Sequence, residues 1–122
     1  MVSRGIRGAT TVERNDEEEI LRATAELLEA IVAENGLTPE DIAYVYITVT
    51  HDLDATFPAR AIRCMEGWDL VPLMCGLEIP VKGALPRCIR LLVAANTNKS
   101  QREIVHVYLN EAKALRPDLA KR

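Results

Sequence analysis

Histidine and cysteine are scarce in this chain, with two of the first and three of the second among 122 residues. His51 and His106 stand 55 positions apart, and Cys64, Cys75 and Cys88 form no Cys-x-x-Cys pair, so the spacings of a structural zinc site are missing. An odd cysteine count also argues against a disulfide framework. No apolar run approaches the roughly 18 residues of a membrane span, and Met1-Val2-Ser3-Arg4 does not lead into the apolar core of a secretion signal. The phosphate-cradling loops GxxxxGKS/T and GxGxxG are absent, as is the HExxH of zinc proteases. There is no basic excess either. Fifteen Lys and Arg face 18 Asp and Glu for a net charge of −3, which disfavours non-specific binding to nucleic acid or to an anionic membrane.

What remains is an ordinary globular composition, 48% apolar and 27% charged. At 13.6 kDa the chain is expected to form one cytoplasmic domain, 1–122, with no metal or cofactor. Its charge is unevenly placed. Residues 13–41 carry ten acids against Arg14 and Arg22, whereas residues 55–122 carry eleven Lys or Arg against six acids. Arginine outnumbers lysine eleven to four. The acidic block reads most simply as a solvated helix face. The arginine excess has two readings: coding bias, or a site for small anions, since guanidinium grips a carboxylate bidentately and lysine does not.

The pattern alternates strands and helices. Val2–Thr10 is a short strand with Arg4 and Arg7 on opposite faces. Asn15 with Glu18 resembles a capping box, and Ile20, Thr24, Leu27, Leu28 and Ile31 then recur at helical spacing until Asn35-Gly36 supplies a left-handed stop. Thr38-Pro39-Glu40-Asp41 reads as a capped turn. From Tyr44 to Val49 the period becomes two, with Val45, Ile47 and Val49 on one side. Pro58 suits the first position of a short helix bearing Arg60 and Arg63 on a shared face. Strands are expected at Leu70–Cys75, Cys88–Ala94 and Ile104–Leu109, with a loop at Ile79–Pro86 and a turn at Ser100–Glu103. The sum is an α+β domain, a sheet of about five strands with one long amphipathic helix on one face.

The face turned away from that helix would present Arg90, His106, Tyr108, Tyr46, Thr48 and also Cys75. Solvent exposure and burial by self-association both fit such a face. A nucleophilic pairing of Cys75 or Cys88 with His106 is outweighed by ordinary packing roles for these residues. The inventory is then a set of arginines (Arg7, Arg60, Arg63, Arg90, Arg116), a tyrosine and Glu78, without a nucleophile–base pair. It suits an anion-binding module or an enzyme that works by electrostatics alone.

Several long motifs now stand in order: Arg4-Gly5-Ile6-Arg7-Gly8-Ala9-Thr10-Thr11-Val12-Glu13, Glu17-Glu18-Glu19-Ile20-Leu21, Phe57-Pro58-Ala59-Arg60-Ala61, Gly67-Trp68, Cys88-Ile89-Arg90, His106-Val107-Tyr108-Leu109 and Leu115-Arg116-Pro117-Asp118-Leu119. Together they closely resemble the small monofunctional α/β class of chorismate mutase, which is unrelated to the all-helical class. The resemblance implies the Claisen rearrangement of chorismate to prephenate without metal or cofactor. It also implies a homotrimer, three chains packed sheet to sheet as a pseudo-α/β-barrel with active sites between neighbours. On that basis Arg90 serves the ether oxygen and a carboxylate, and Arg7 with Tyr108 clamps a carboxylate. Glu78 and Cys75 take the ring hydroxyl, and Phe57 forms apolar wall. Arg60, Arg63 and Arg116, with Leu115, stand around the cleft mouth. The Phe57–Arg63 segment would come from the neighbouring chain. Two positions depart from the pattern: Arg60 stands where lysine is familiar, and Met74 replaces a threonine, leaving its backbone as the possible ligand contact. A trimer of this architecture that binds another small anion, as in the related-looking imine deaminases, is the alternative.

Overall fold

The computed structural model describes residues 1–116. Its elements are β1 (Val2–Thr11), α1 (Glu17–Asn35), a 3-10 turn (Pro39–Asp41), β2 (Ile42–Val49), α2 (Ala59–Arg63), β3 (Leu73–Leu77), β4 (Cys88–Thr97), a second 3-10 turn (Gln101–Glu103), β5 (Val107–Tyr108) and a 3-10 segment (Asn110–Leu115). Pro117, Asp118 and Leu119 of the closing motif lie outside the described residues.

Helix α1 forms where the apolar spacing requires it, burying Ile20, Thr24, Leu27, Leu28 and Ile31. Its cap is Asp16 and not Asn15: the Asp16 carboxylate accepts from Glu19 N at 3.1 Å, and three glutamates in the first turn complement the helix dipole. Asn15 ties the helix start to a distant loop instead. Its amide oxygen accepts from Asp54 N and Ala55 N at 3.1 and 3.0 Å. The helix ends at Gly36, whose φ of 61° is the left-handed conformation.

The strands make one mixed sheet in the order β3-β2-β4-β1-β5. Central β4 is antiparallel to β1 and β2, and the edge strands β3 and β5 run parallel to β2 and β1. Val45, Ile47 and Val49 of β2 and Ile89, Leu91 and Val93 of β4 pack with α1 into one core, joined by Ile62 of α2 and by Trp68. At Gly8 of β1 an added Cβ would fall 2.6 Å from Ile31 Cδ1 and 3.1 Å from Leu27 Cδ1, so glycine lets the helix seat against the strand. The other face keeps Tyr44, Tyr46, Arg7, Arg90 and Leu92 exposed.

Three expectations shift. Strand β3 begins at Leu73, not Leu70, because Val71 N bonds back to Trp68 O in a turn and Pro72 has no N–H to offer the ladder. Helix α2 starts after Pro58, which caps it. The last strand shrinks from Ile104–Leu109 to Val107–Tyr108, since side chains take the hydrogen bonds that a longer ladder would use. The buried Asn35 amide accepts from Val105 N at 2.8 Å and donates to Val105 O at 2.9 Å and Ile31 O at 2.8 Å. His106 Nδ1 accepts from Arg7 N at 2.9 Å.

Asn35 therefore locks the end of α1 to the segment that carries Tyr108. Asn35→Ala is expected to lower the unfolding free energy by about 1–3 kcal/mol, the cost of leaving buried backbone groups unpaired. Urea unfolding of the two proteins checks this.

Candidate active site

Strand parity selects the residues that meet on the open face. Arg7, Tyr46, Thr48, Arg90, Leu92 and Tyr108 line a cavity of about 230 Å³ there. Tyr108 is 8% exposed and packs with Ala9, Cys88 and Ala112, with Leu85 and Leu115 resting against this cluster. Glu78 follows β3 directly, and its N–H extends the pairing by donating to Val49 O at 2.9 Å. Its carboxylate then lies at the sheet surface, with Oε1 3.6 Å from Arg90 Nε and Oε2 accepting from the Thr48 hydroxyl. Thus Arg7, Glu78, Arg90 and Tyr108, drawn from four places in the sequence, gather on one face.

The other expected contacts form a second group. Phe57, Arg60 and Cys75, with Leu53, Pro58 and Leu77, line a larger cavity of about 540 Å³. Phe57 is 70% exposed, and Arg63 is exposed at the last position of α2. Arg60 pairs with the Glu17 carboxylate and donates to Thr56 Oγ1 at 2.7 Å. Cys75 corrects the sequence reading: it pairs with Ile47 in the β2–β3 register and packs against the core on the helix side, not on the open face. Its neighbour Met74 points the other way, 70% exposed beside Tyr44, Tyr46 and Leu92. Within one chain Cys75 lines the cavity of Phe57 and Arg60, whereas Glu78, beside Arg90, lines a third cavity with Thr50, Asp52 and the loop that follows it. Arg116 ends the described residues, directly after the segment that bears Leu115.

A hydrogen-bonded brace holds the start of β4, and sequence reading missed it. Arg87 adopts a φ of 48°, and its N–H donates to Asp52 Oδ2 at 2.9 Å. Thr50 Oγ1 donates to Asp52 and accepts from Cys88 N at 3.0 Å. A Thr-x-Asp at the end of a strand was the available signal. Burial pushes the Cys88 thiol up against the pull of Arg90, which leaves it a protonated packing group and not a nucleophile. Among the described residues no three or more His, Cys, Asp or Glu are grouped to hold a metal ion, and no helix is long and apolar enough to cross a membrane.

A sheet covered by a helix on one side, with two arginines, a tyrosine and a glutamate gathered on the other, defines a small α+β domain suited to receiving a compact anion. Sequence comparison makes the class specific: residues 3–119 match the family Chorismate mutase type I, and the chain belongs to that family. It is 50% identical to the chorismate mutase AroH of Bacillus subtilis (strain 168) over 120 residues, 98% of this chain and 94% of that one. It is equally similar, at 50% over 117 residues, to AroH of Thermus thermophilus, covering 95% of each. The structure superposes on a chorismate mutase from Clostridium thermocellum with a TM-score of 0.89 at 50% identity, covering 91% of this chain and 98% of the other.

The brace carries a pH dependence. Burial works to raise the Asp52 carboxyl, but the Thr50 hydroxyl and the Arg87 N–H that donate to it prevail, and it lies below its ordinary value. A carboxyl lowered by folding contributes stability that is complete above its unfolded value and is lost as pH falls through the folded one. Asp52→Asn is expected to lower stability by about 1–2 kcal/mol at pH 7. The gap to wild type should narrow below about pH 4, as urea unfolding at pH 7 and pH 3 would show.

Proposed function

We propose that this chain catalyses the [3,3] rearrangement of chorismate to prephenate, within the biosynthesis of phenylalanine and tyrosine and in the cytoplasm. Chorismate is a dianion whose enolpyruvyl arm must fold over its ring before the ether C–O bond breaks and the new C–C bond forms. The reaction is unimolecular and moves no proton, so the protein has two tasks. It holds the folded conformer, which removes orientational entropy from the barrier. It also fixes charge where charge develops, positive beside the ether oxygen and negative beside the ring.

The observation that carries this reading is the convergence of Arg7, Arg90 and Tyr108 on one cavity, with Glu78 held beside Arg90. Arg90 donates to the ether oxygen and one carboxylate. Arg7 and Tyr108 clamp a carboxylate, and the Glu78 carboxylate faces the ring and its hydroxyl. Four of the expected contacts, Phe57, Arg60, Arg63 and Cys75, lie elsewhere on the chain, which supports a site completed by a neighbouring copy. The open sheet face supports this as well, because Tyr44, Tyr46, Met74 and Leu92 stand exposed on it, an apolar surface suited to a second sheet. In the assembly we propose, a homotrimer, the Phe57–Arg63 segment, Met74 and Cys75 of one chain close over Arg7, Glu78, Arg90 and Tyr108 of the next. Leu115 and Arg116 sit at the mouth, where Arg116 and Arg63 steer the dianion.

Arg90→Ala is expected to lower kcat about 10²–10³-fold or more, the typical loss for one preorganised donor aimed at a developing oxyanion. Steady-state loss of chorismate in EDTA, with prephenate identified as product, measures it. A rise in KM with kcat intact would mean that Arg90 binds ground and transition states alike. Shared sites make a further prediction. Arg90→Ala and Arg63→Ala proteins, unfolded together in equal amounts and refolded, should regain up to about a quarter of wild-type activity at chorismate concentrations low enough that each variant alone is slow, because that fraction of sites draws an intact residue from each chain. Sites confined to single chains would regain nothing.

A further inference from the structure

The carboxylate of Glu78 has two different neighbours for its two oxygens. Oε2 takes the hydroxyl of Thr48, and Oε1 faces Arg90 Nε at 3.6 Å, beyond the reach of a direct N–H to O bond. Thr48 and Arg90 are register partners on β2 and β4, so both side chains leave the sheet at the same level on the open face. Glu78 arrives from the end of β3, where only its backbone N–H to Val49 fixes it to the ladder. Its side chain is 22% exposed and that of Arg90 is 47% exposed. A glutamate on such a tether has rotamer freedom, and a guanidinium at this range is its strongest electrostatic partner. Left to itself it would close on Arg90 in a bidentate pair and occupy the donors that the ether oxygen needs.

We infer that Thr48 is a positioning residue for the rearrangement: by donating to one oxygen of Glu78 it keeps that carboxylate aimed at the ring and stops it from closing on Arg90. The inference rests on the reading of the site given above. Thr48 acts through Glu78, and its contribution is to hold two opposite charges side by side without a direct hydrogen bond between them. Its position on β2 suits this task, since β2 is held between β3 and β4 by hydrogen bonds on both sides.

The test is a double-mutant cycle on the purified protein with chorismate as substrate. Thr48→Val keeps the shape and strand preference of threonine and deletes the hydroxyl. It should lower kcat about tenfold while KM changes by less than about threefold. Thr48→Ser restores the donor and should return kcat to within about twofold of wild type. In a Glu78→Ala background, Thr48→Val should cost nothing more, because the group it orients is gone. A structural role would give a different pattern, with equal losses in both backgrounds and no rescue by serine, and that pattern overturns the inference. So does unchanged kcat in Thr48→Val. If Thr48→Val does not fold, the serine variant and Thr48→Ala, compared in the presence and absence of Glu78, decide in the same way. Wild-type protein that leaves chorismate unchanged would refute the reaction assigned above. An active wild type that is indifferent to Thr48 would refute this inference alone.

Discussion

The antiparallel register of β2 on β4 governs the rest of the molecule. It sets Val45, Ile47 and Val49 against Val93, Leu91 and Ile89 on the side that α1 covers. By the same pairing it sets Thr48 against Arg90 on the side that α1 leaves open. Because side chains alternate, a slip of one residue would turn the arginine into the core and the isoleucines outward, losing stability and site together. The structure guards this register at the point nearest the site. The Thr50–Asp52–Arg87 brace ties the exit of β2 to the entry of β4, two residues before Arg90. A left-handed Arg87 is tolerated there because the carboxylate of Asp52 holds its N–H.

The chemistry asked of the site matches its means. A unimolecular rearrangement needs shape and fixed charge, and a sheet supplies both cheaply: rigid strands project arginine from fixed positions at intervals of two residues. The proposed division of the site between copies adds the remaining wall without lengthening the chain. It also makes the apolar exposure of Tyr44, Tyr46, Met74 and Leu92 consistent with the polar cavity beside it, since one association would cover the first and close the second.

Much of this was legible in the sequence wherever a local period carried it. Helix α1 and strands β1, β2 and β4 follow from spacing, and Arg90, Tyr108 and Thr48 fall on the open face by parity alone. The errors came where a distant partner decides. Asp16 takes the helix cap from Asn15, and Asn15 instead binds a loop some forty residues on. The strand expected at Ile104–Leu109 is cut short by Asn35, 70 positions earlier. The face of Cys75 is set by its register with Ile47 of β2, whereas the run Leu70–Cys75 is apolar throughout and carries no alternation from which to read it. Which arginines matter was not legible from spacing; eleven were candidates, and the family resemblance ranked them.

The short β5 has a further consequence for the shape of any assembly. It pairs with β1 only at Gly8 and Ala9, and the Asn35 amide takes both backbone groups of Val105, so β5 itself offers an additional strand almost no ladder to extend. Edge-to-edge growth, the route by which sheets run on into open-ended ribbons, is discouraged at that border by a single buried side chain. Contacts through the broad face, unlike those through an edge, can close upon themselves after a small fixed number of copies.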